Sequence, residues 1–141
     1  MYRRLKREES SKGITVSRQQ RADFWRPAES NYSKIIKPDI VLRYNNEIII
    51  VDTKWKIIDD LVPSDDDLKQ MFVYNLYWKC NRSVLLYPAD NENSKKGDYH
   101  DFDLPGNVKR NCAVQTISVL KEGRLDRDFG EKVLTKLTAA Q

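Results

Sequence analysis

The sequence predicts an α/β (α+β) fold built on a central mixed β-sheet, with a hairpin, a crossover helix and flanking helices. Three observations carry this. Two β-rich runs, 39–44 and 47–53, are joined by Asn45-Asn46, a pair that tolerates positive φ and so suits a hairpin turn. A capped helical segment then separates the second run from another buried strand at 83–87, and a helix between two buried strands is a crossover that sets them parallel. A segment with apolar residues on one helical face closes the chain.

In chain order, residues 2–9 read as a short basic helix or helix end, and 13–17 as a short strand. Residues 18–36 read as polar and irregular, broken by Trp25-Arg26-Pro27. The 39–44 strand alternates in part, whereas 47–53 is nearly continuously apolar, as a central strand buried on both faces would be. Pro63-Ser64-Asp65-Asp66-Asp67 starts a helix, with Ser64 as N-cap and three carboxylates complementing the positive end of the macrodipole. Over its course to about Cys80, one stripe holds Leu68, Met71, Phe72, Asn75 and Leu76; another holds Gln70, Tyr74 and Trp78 at i, i+4, i+8. Strand 83–87 is closed by Pro88, and 89–110 is a polar, turn-rich surface excursion. A further strand follows from Cys112 to Leu120. The closing helix, 126–137, puts Phe129, Val133 and Leu137 on one face.

With 141 residues and 16.6 kDa, the chain has room for one hydrophobic core. The expected organisation is a single domain over 1–141: a basic segment 1–36 holding a shortened first helix and strand, a core 37–88, a polar loop 89–111, and a last strand and helix over 112–141. Hydrophobic residues at 40% and charged residues at 33% exclude disordered and fibrous classes. The longest apolar run, Ile48-Ile49-Ile50-Val51, is far short of the ~20 residues of a membrane helix, and the basic N-terminus leads into no apolar signal region. A cytoplasmic protein without a membrane span is therefore expected, with Cys80 and Cys112 as free thiols. Two distant cysteines and a single histidine, His100, exclude zinc. Net charge is +4, but eight of the basic residues fall in the first 27 against three acids, a bias that favours a polyanion.

Asp39 heads the first hairpin strand and Asp52 lies at the far end of the second, so antiparallel pairing makes them neighbours, with Lys54 close by. Asp52 and Lys54 share a strand face and Thr53 points to the other. An isolated Asp-x-Lys is ordinarily a surface salt bridge. Here Asp52 closes the apolar run Ile-Ile-Ile-Val, where a charge is expensive unless a metal or a partner compensates it. Hard carboxylate oxygens suit Mg²⁺ or Mn²⁺, which can hold a phosphate oxygen and acidify a water. An ammonium beside that water can orient or deprotonate it and offset charge at phosphorus. That is the chemistry of phosphodiester hydrolysis.

The ordered set Pro38-Asp39, Asp52-Thr53-Lys54 and Gln70-x-x-x-Tyr74 resembles the PD-(D/E)xK nuclease superfamily, in its RecB-like branch with a Q-x-x-x-Y helix. Within that branch, 37–42, 50–56, 67–74 and 85–88 are most similar to the McrC family, nuclease subunits of restriction systems that cut modified-cytosine DNA. The resemblance covers 37–88 well, with the tail from Cys112 as the family's last strand. It implies a restriction-endonuclease-like core in which Asp39, Asp52 and the Thr53 backbone carbonyl hold Mg²⁺ or Mn²⁺. It also implies that Lys54 assists the attacking water and that Gln70 and Tyr74 brace the site or touch DNA. Double-stranded DNA is the implied substrate, contacted by Arg3, Arg4, Arg7 and Lys56, and a GTP-dependent AAA+ motor subunit is the implied partner. Two departures from the family stand out. Its earlier helix carries a glutamate for which only Glu8 or Glu9 is available here, and McrC's N-terminal motor-engaging region has no counterpart, as in a shortened or isolated nuclease domain.

Other motifs carry less. Asp98-Tyr-His-Asp101 reads as a solvated loop, no nucleophile elbow or phosphate loop is present, and Asp65-Asp66-Asp67 reads as a helix cap. Two alternatives stay open: a catalytically silent DNA-binding or assembly module, and a repair or recombination nuclease of the same superfamily.

Overall fold

A computed structural model of the chain describes residues 1–100 and 108–139; part of the polar loop, including Asp101, lies outside the described residues. The centre is a six-stranded mixed sheet made of β1 (Thr15–Arg18), β4 (Ile40–Tyr44), β5 (Glu47–Thr53), β6 (Arg82–Pro88), β8 (Asn111–Ile117) and β7 (Ser94–Asp98), in that spatial order. The predicted hairpin is β4–β5, with Asn45 and Asn46 at φ of 49° and 64°. β5 and β6 are parallel, joined across α3 (Asp65–Tyr77), and β6 and β8 are parallel in turn.

Strand alternation divides the core between two layers. Ile49 and Val51 point to the face covered by α1 (Tyr2–Arg7) and α4 (Phe129–Thr138), where Leu5, Leu42, Leu86, Val133 and Leu137 pack. Ile50 points to the opposite face, under α3, with Val41, Met71, Tyr74, Leu85 and Tyr87. Alternation then carries Asp52 to the α3 face. The other layer is clamped where Gly130 meets the Arg4 carbonyl, which a Cβ would approach to 2.7 Å. The Arg4 guanidinium donates to the Asp126 carbonyl at the same junction.

Four sequence expectations change. The irregular stretch 18–36 contains β2 (Ala22–Trp25) and β3 (Lys34–Ile36), a separate two-stranded ribbon whose exposure removes any core-facing periodicity. The polar excursion contains β7, the edge strand Ser-Lys-Lys-Gly-Asp, exposed throughout and paired antiparallel with β8; lysines are what edge strands carry. The last strand ends at Ile117, and α2 (Glu9–Lys12) and a small hairpin of β9 (Leu120–Lys121) with β10 (Arg124–Leu125) are further elements. On α3, which ends at Tyr77, the buried stripe is Asp67, Met71, Tyr74 and Asn75, while Leu68, Phe72 and Leu76 are only partly buried. Cys80 and Cys112 are buried and unpaired, and no helix among the described residues is long and apolar enough to cross a membrane.

Candidate functional site

The predicted constellation assembles at the end of the sheet where β4 begins and β5 finishes. Ile40 faces Val51, so the register carried one residue further sets Asp39 across from Asp52. Asp39 is exposed, and its Oδ2 accepts from the Thr53 backbone N–H at 2.9 Å and the Thr53 hydroxyl at 2.8 Å. Thr53, expected to point away, thus reaches the site as the residue that anchors Asp39. Asp52, only 6% exposed, pairs through Oδ2 with the Lys54 ammonium at 2.7 Å. Burial pushes the Asp52 carboxyl above its ordinary range, Lys54 opposes that shift, and the negative charge of Asp39 adds to it.

Lys54 is the hub. Besides Asp52, its ammonium meets Asp67 Oδ1 at 3.0 Å and donates to Gln70 Oε1 at 3.2 Å, so its three N–H donors have three acceptors. Burial works against the charge, yet the two carboxylates outweigh it and hold the ammonium above the usual lysine range. Lys54 in this arrangement is a fixed positive charge, suited to offsetting negative charge rather than to taking a proton. Gln70 turns its amide NH₂ to the Tyr74 hydroxyl at 3.1 Å, which donates in turn to the Lys37 carbonyl at 3.2 Å. Tyr74 is buried, and that burial, followed by the charges of Asp52 and Asp39, raises its hydroxyl to about 12, so it stays a neutral donor. The helix motif is therefore tied to the segment that delivers Asp39.

Asp67 is the member that sequence reasoning missed. Read as one of three capping carboxylates, it instead turns inward and bridges Lys54 and Lys56, the latter at 2.8 Å. Ser64 Oγ does the capping, accepting from the Asp67 N–H at 3.1 Å. The available signal was periodicity, since Asp67, Met71 and Tyr74 at i, i+4, i+7 form the inward stripe. Burial raises the Asp67 carboxyl, but hydrogen bonds from Lys56, Lys54 and Ser64 more than reverse this and hold it down to about 2. A carboxylate whose pKa falls on folding stabilises the fold where it is ionised. Its contribution is fully present above the unfolded value of 3.8 and is lost as pH falls through about 2. Urea melts between pH 5 and pH 2 are therefore expected to lose less stability in Asp67→Asn than in the wild type; equal losses would remove Asp67 from the network.

Not every predicted residue joins. Glu9 is taken up by Lys6 at 2.7 Å and by the Val16 N–H at 2.8 Å, and Glu8 ends α1. Among the described residues no group of three Asp, Glu, His or Cys side chains is placed to hold a metal, so neither glutamate completes the site. Two carboxylates nevertheless fit Mg²⁺, which commonly takes one or two and fills its octahedron with water and phosphate oxygens. Arg3 and Arg7 are exposed on α1, Arg4 is engaged with Asp126, and Lys56 is exposed beside Asp67.

Comparison with known proteins bears on fold and family. One solved neighbour is a chain of the refined half-complex from the tetradecameric assembly of Thermococcus gammatolerans McrB AAA+ hexamers with bound McrC. It is 17% identical with a TM-score of 0.58, over 95% of this chain and 30% of that one. This likeness is one of fold, and the chain spans under a third of its neighbour's length. No curated protein matches. A family model described as McrBC 5-methylcytosine restriction system component matches residues 1–88, which include α1, the hairpin, α3 and every residue of the cluster just described. The chain thus belongs to the family of McrBC 5-methylcytosine restriction system components.

Proposed function

We propose that this chain is a metal-dependent DNA endonuclease domain of the PD-(D/E)xK superfamily, in its RecB-like branch. In this reading it hydrolyses phosphodiester bonds of modified-cytosine DNA in the cytoplasm, working with a GTP-dependent McrB-like AAA+ subunit. One observation carries the reading: Asp39, Asp52, Lys54, Gln70 and Tyr74, drawn from the ends of two strands and a helix, meet at the end of the sheet, with Thr53 bonding Asp39 and Lys54 joining Asp52 to the Gln70–Tyr74 pair. Asp39, Asp52 and the Thr53 carbonyl would hold Mg²⁺ or Mn²⁺, which when bound supplies Lewis acidity toward phosphate and acidifies water. Thr53 fixes the Asp39 carboxylate, and Lys54 offers a charge to the phosphate as negative charge develops there. Asp67 and Gln70 position Lys54, and Tyr74 fixes the Gln70 amide. Arg3, Arg7 and Lys56 present exposed cations to DNA phosphates; Arg4 has a structural partner and contributes less.

The second reading, a silent DNA-binding or assembly module, is favoured by one feature: among the described residues no third acid joins Asp39 and Asp52 in a metal-binding group, and Lys54 already neutralises Asp52. The two separate on a gel. Incubation of cytosine-methylated duplex DNA with the chain, its AAA+ partner, GTP and Mg²⁺ is expected to give cleavage that EDTA abolishes. Intact DNA under these conditions, and again with Mn²⁺, would assign the silent module instead.

A further inference from the structure

We propose that the β2–β3 ribbon is a DNA-contacting element that enters a groove of the duplex beside the candidate active site, an inference resting on the nuclease reading above. The ribbon is a two-stranded sheet apart from the main one, and such a ribbon is marginal unless something packs on it. Yet it displays large rings to solvent: Phe24 is 50% exposed, Trp25 58% and Tyr32 61%. Among the described residues, Phe24 alone of the three has a ring partner on the body of the fold, Tyr77 on α3, edge-on at 5.8 Å. Three exposed rings on one short ribbon and its connecting segment mark an interaction surface.

Charge identifies the partner. From Arg18 to Lys37 the segment has five basic residues against Asp23 and Glu29. The cations are interleaved with the rings, Lys34 lying over Tyr32 at 5.9 Å and Arg26 following Trp25. Rings that wedge between base steps, set among cations that meet phosphates, complement a duplex, and a two-stranded ribbon fits a DNA groove.

Position makes the same point. β3 ends at Ile36, Lys37 accepts from Tyr74, and Asp39 follows two residues later. At the root of β2 the Gln19 N–H donates to the Asp39 carbonyl at 3.4 Å, and Gln20 Oε1 accepts from the Trp78 indole at 2.8 Å. Both roots are therefore bonded to the segment that carries Asp39 or to the helical segment that carries Gln70 and Tyr74. A duplex seated on the ribbon would lie next to Asp39.

The test is fluorescence anisotropy of a short labelled duplex titrated with the full chain in Ca²⁺ over a salt series, with a thermal melt of each variant. The double variant Trp25→Ala/Tyr32→Ala is expected to bind about tenfold or more weakly with an unchanged salt slope, because apolar contact is lost and no phosphate contact is. The double variant Arg26→Ala/Lys34→Ala is expected to lower the salt slope by about two, near one per phosphate contact. These side chains are largely exposed, so melting temperatures should stay near wild type. Should the aromatic variant unfold, the slope of the charge variant decides. If both doubles bind with wild-type affinity and slope while the wild type binds well, the ribbon assignment is overturned and the nuclease reading stands. Loss of the AAA+ subunit with DNA binding intact overturns it equally and assigns the ribbon to a protein. A wild-type chain that does not bind duplex DNA overturns both.

Discussion

Lys54→Ala is expected to reduce Mg²⁺-dependent DNA cleavage by roughly 10²-fold or more while leaving DNA affinity within a few-fold. The ammonium is the single group shared by Asp52, Asp67 and Gln70, so its loss dissolves the hub as well as the charge offered to phosphate. A stability effect accompanies the kinetic one. Asp67 keeps Lys56 at 2.8 Å, but Asp52, 6% exposed, is left without its cation. Removing one partner of a buried pair costs about 3–5 kcal/mol, less to the extent that Asp52 takes up a proton, for which burial has already prepared it. Asp52→Asn/Lys54→Ala should recover much of that loss and remain inactive, because the buried charge has gone but the chemistry has not returned. Paired melts and cleavage time courses separate the two effects. Cleavage by Lys54→Ala within a few-fold of wild type would remove the lysine from the mechanism.

Met71→Ala is expected to lower the unfolding free energy by about 2–5 kcal/mol in urea melts, the range for deleting a long side chain from a closed core. Phe72→Ala should cost less, although its ring is larger. Met71 is fully buried between α3 and the sheet, whereas Phe72 is only partly buried, its ring 4.9 Å from that of Tyr99. A larger loss in Phe72→Ala would mean that α3 is rotated from the orientation described, which would also turn Gln70 away from Lys54.

That rotation is where sequence reasoning and structure part. Apolar periodicity puts Leu68, Met71, Phe72, Asn75 and Leu76 on one stripe; Met71 and Asn75 are buried, but the other three are only partly so, and the stripe leaves out the polar Asp67 and Tyr74. Both are inward, since Lys54 and Lys56 satisfy one and the Lys37 carbonyl accepts from the other. A buried polar residue with partners supplied by distant elements is invisible to a pattern read one segment at a time. The hairpin was legible for the opposite reason: Asn45-Asn46 and the run Ile48-Ile49-Ile50-Val51 specify turn and burial locally, and Asp39 and Asp52 follow from antiparallel pairing. The β2–β3 ribbon and β7 left no pattern, because neither buries a face. Gln70 and Tyr74 were found through resemblance to a nuclease motif, and their bonds to Lys54 and Lys37 supply the physical reason for its four-residue spacing.

The pairing of Asp39 with Asp52 as a cation site is tested most directly by the shift in melting temperature that Mn²⁺ produces. Binding to the folded chain alone should raise the wild-type melting temperature progressively with Mn²⁺ concentration, by mass action. In Asp52→Asn, which keeps Lys54 anchored to Asp67 and Gln70, the expected shift is absent at the same concentrations, whatever the starting stability. A full Mn²⁺ shift in Asp52→Asn, equal to that of the wild type, would place the cation elsewhere and contradict the site.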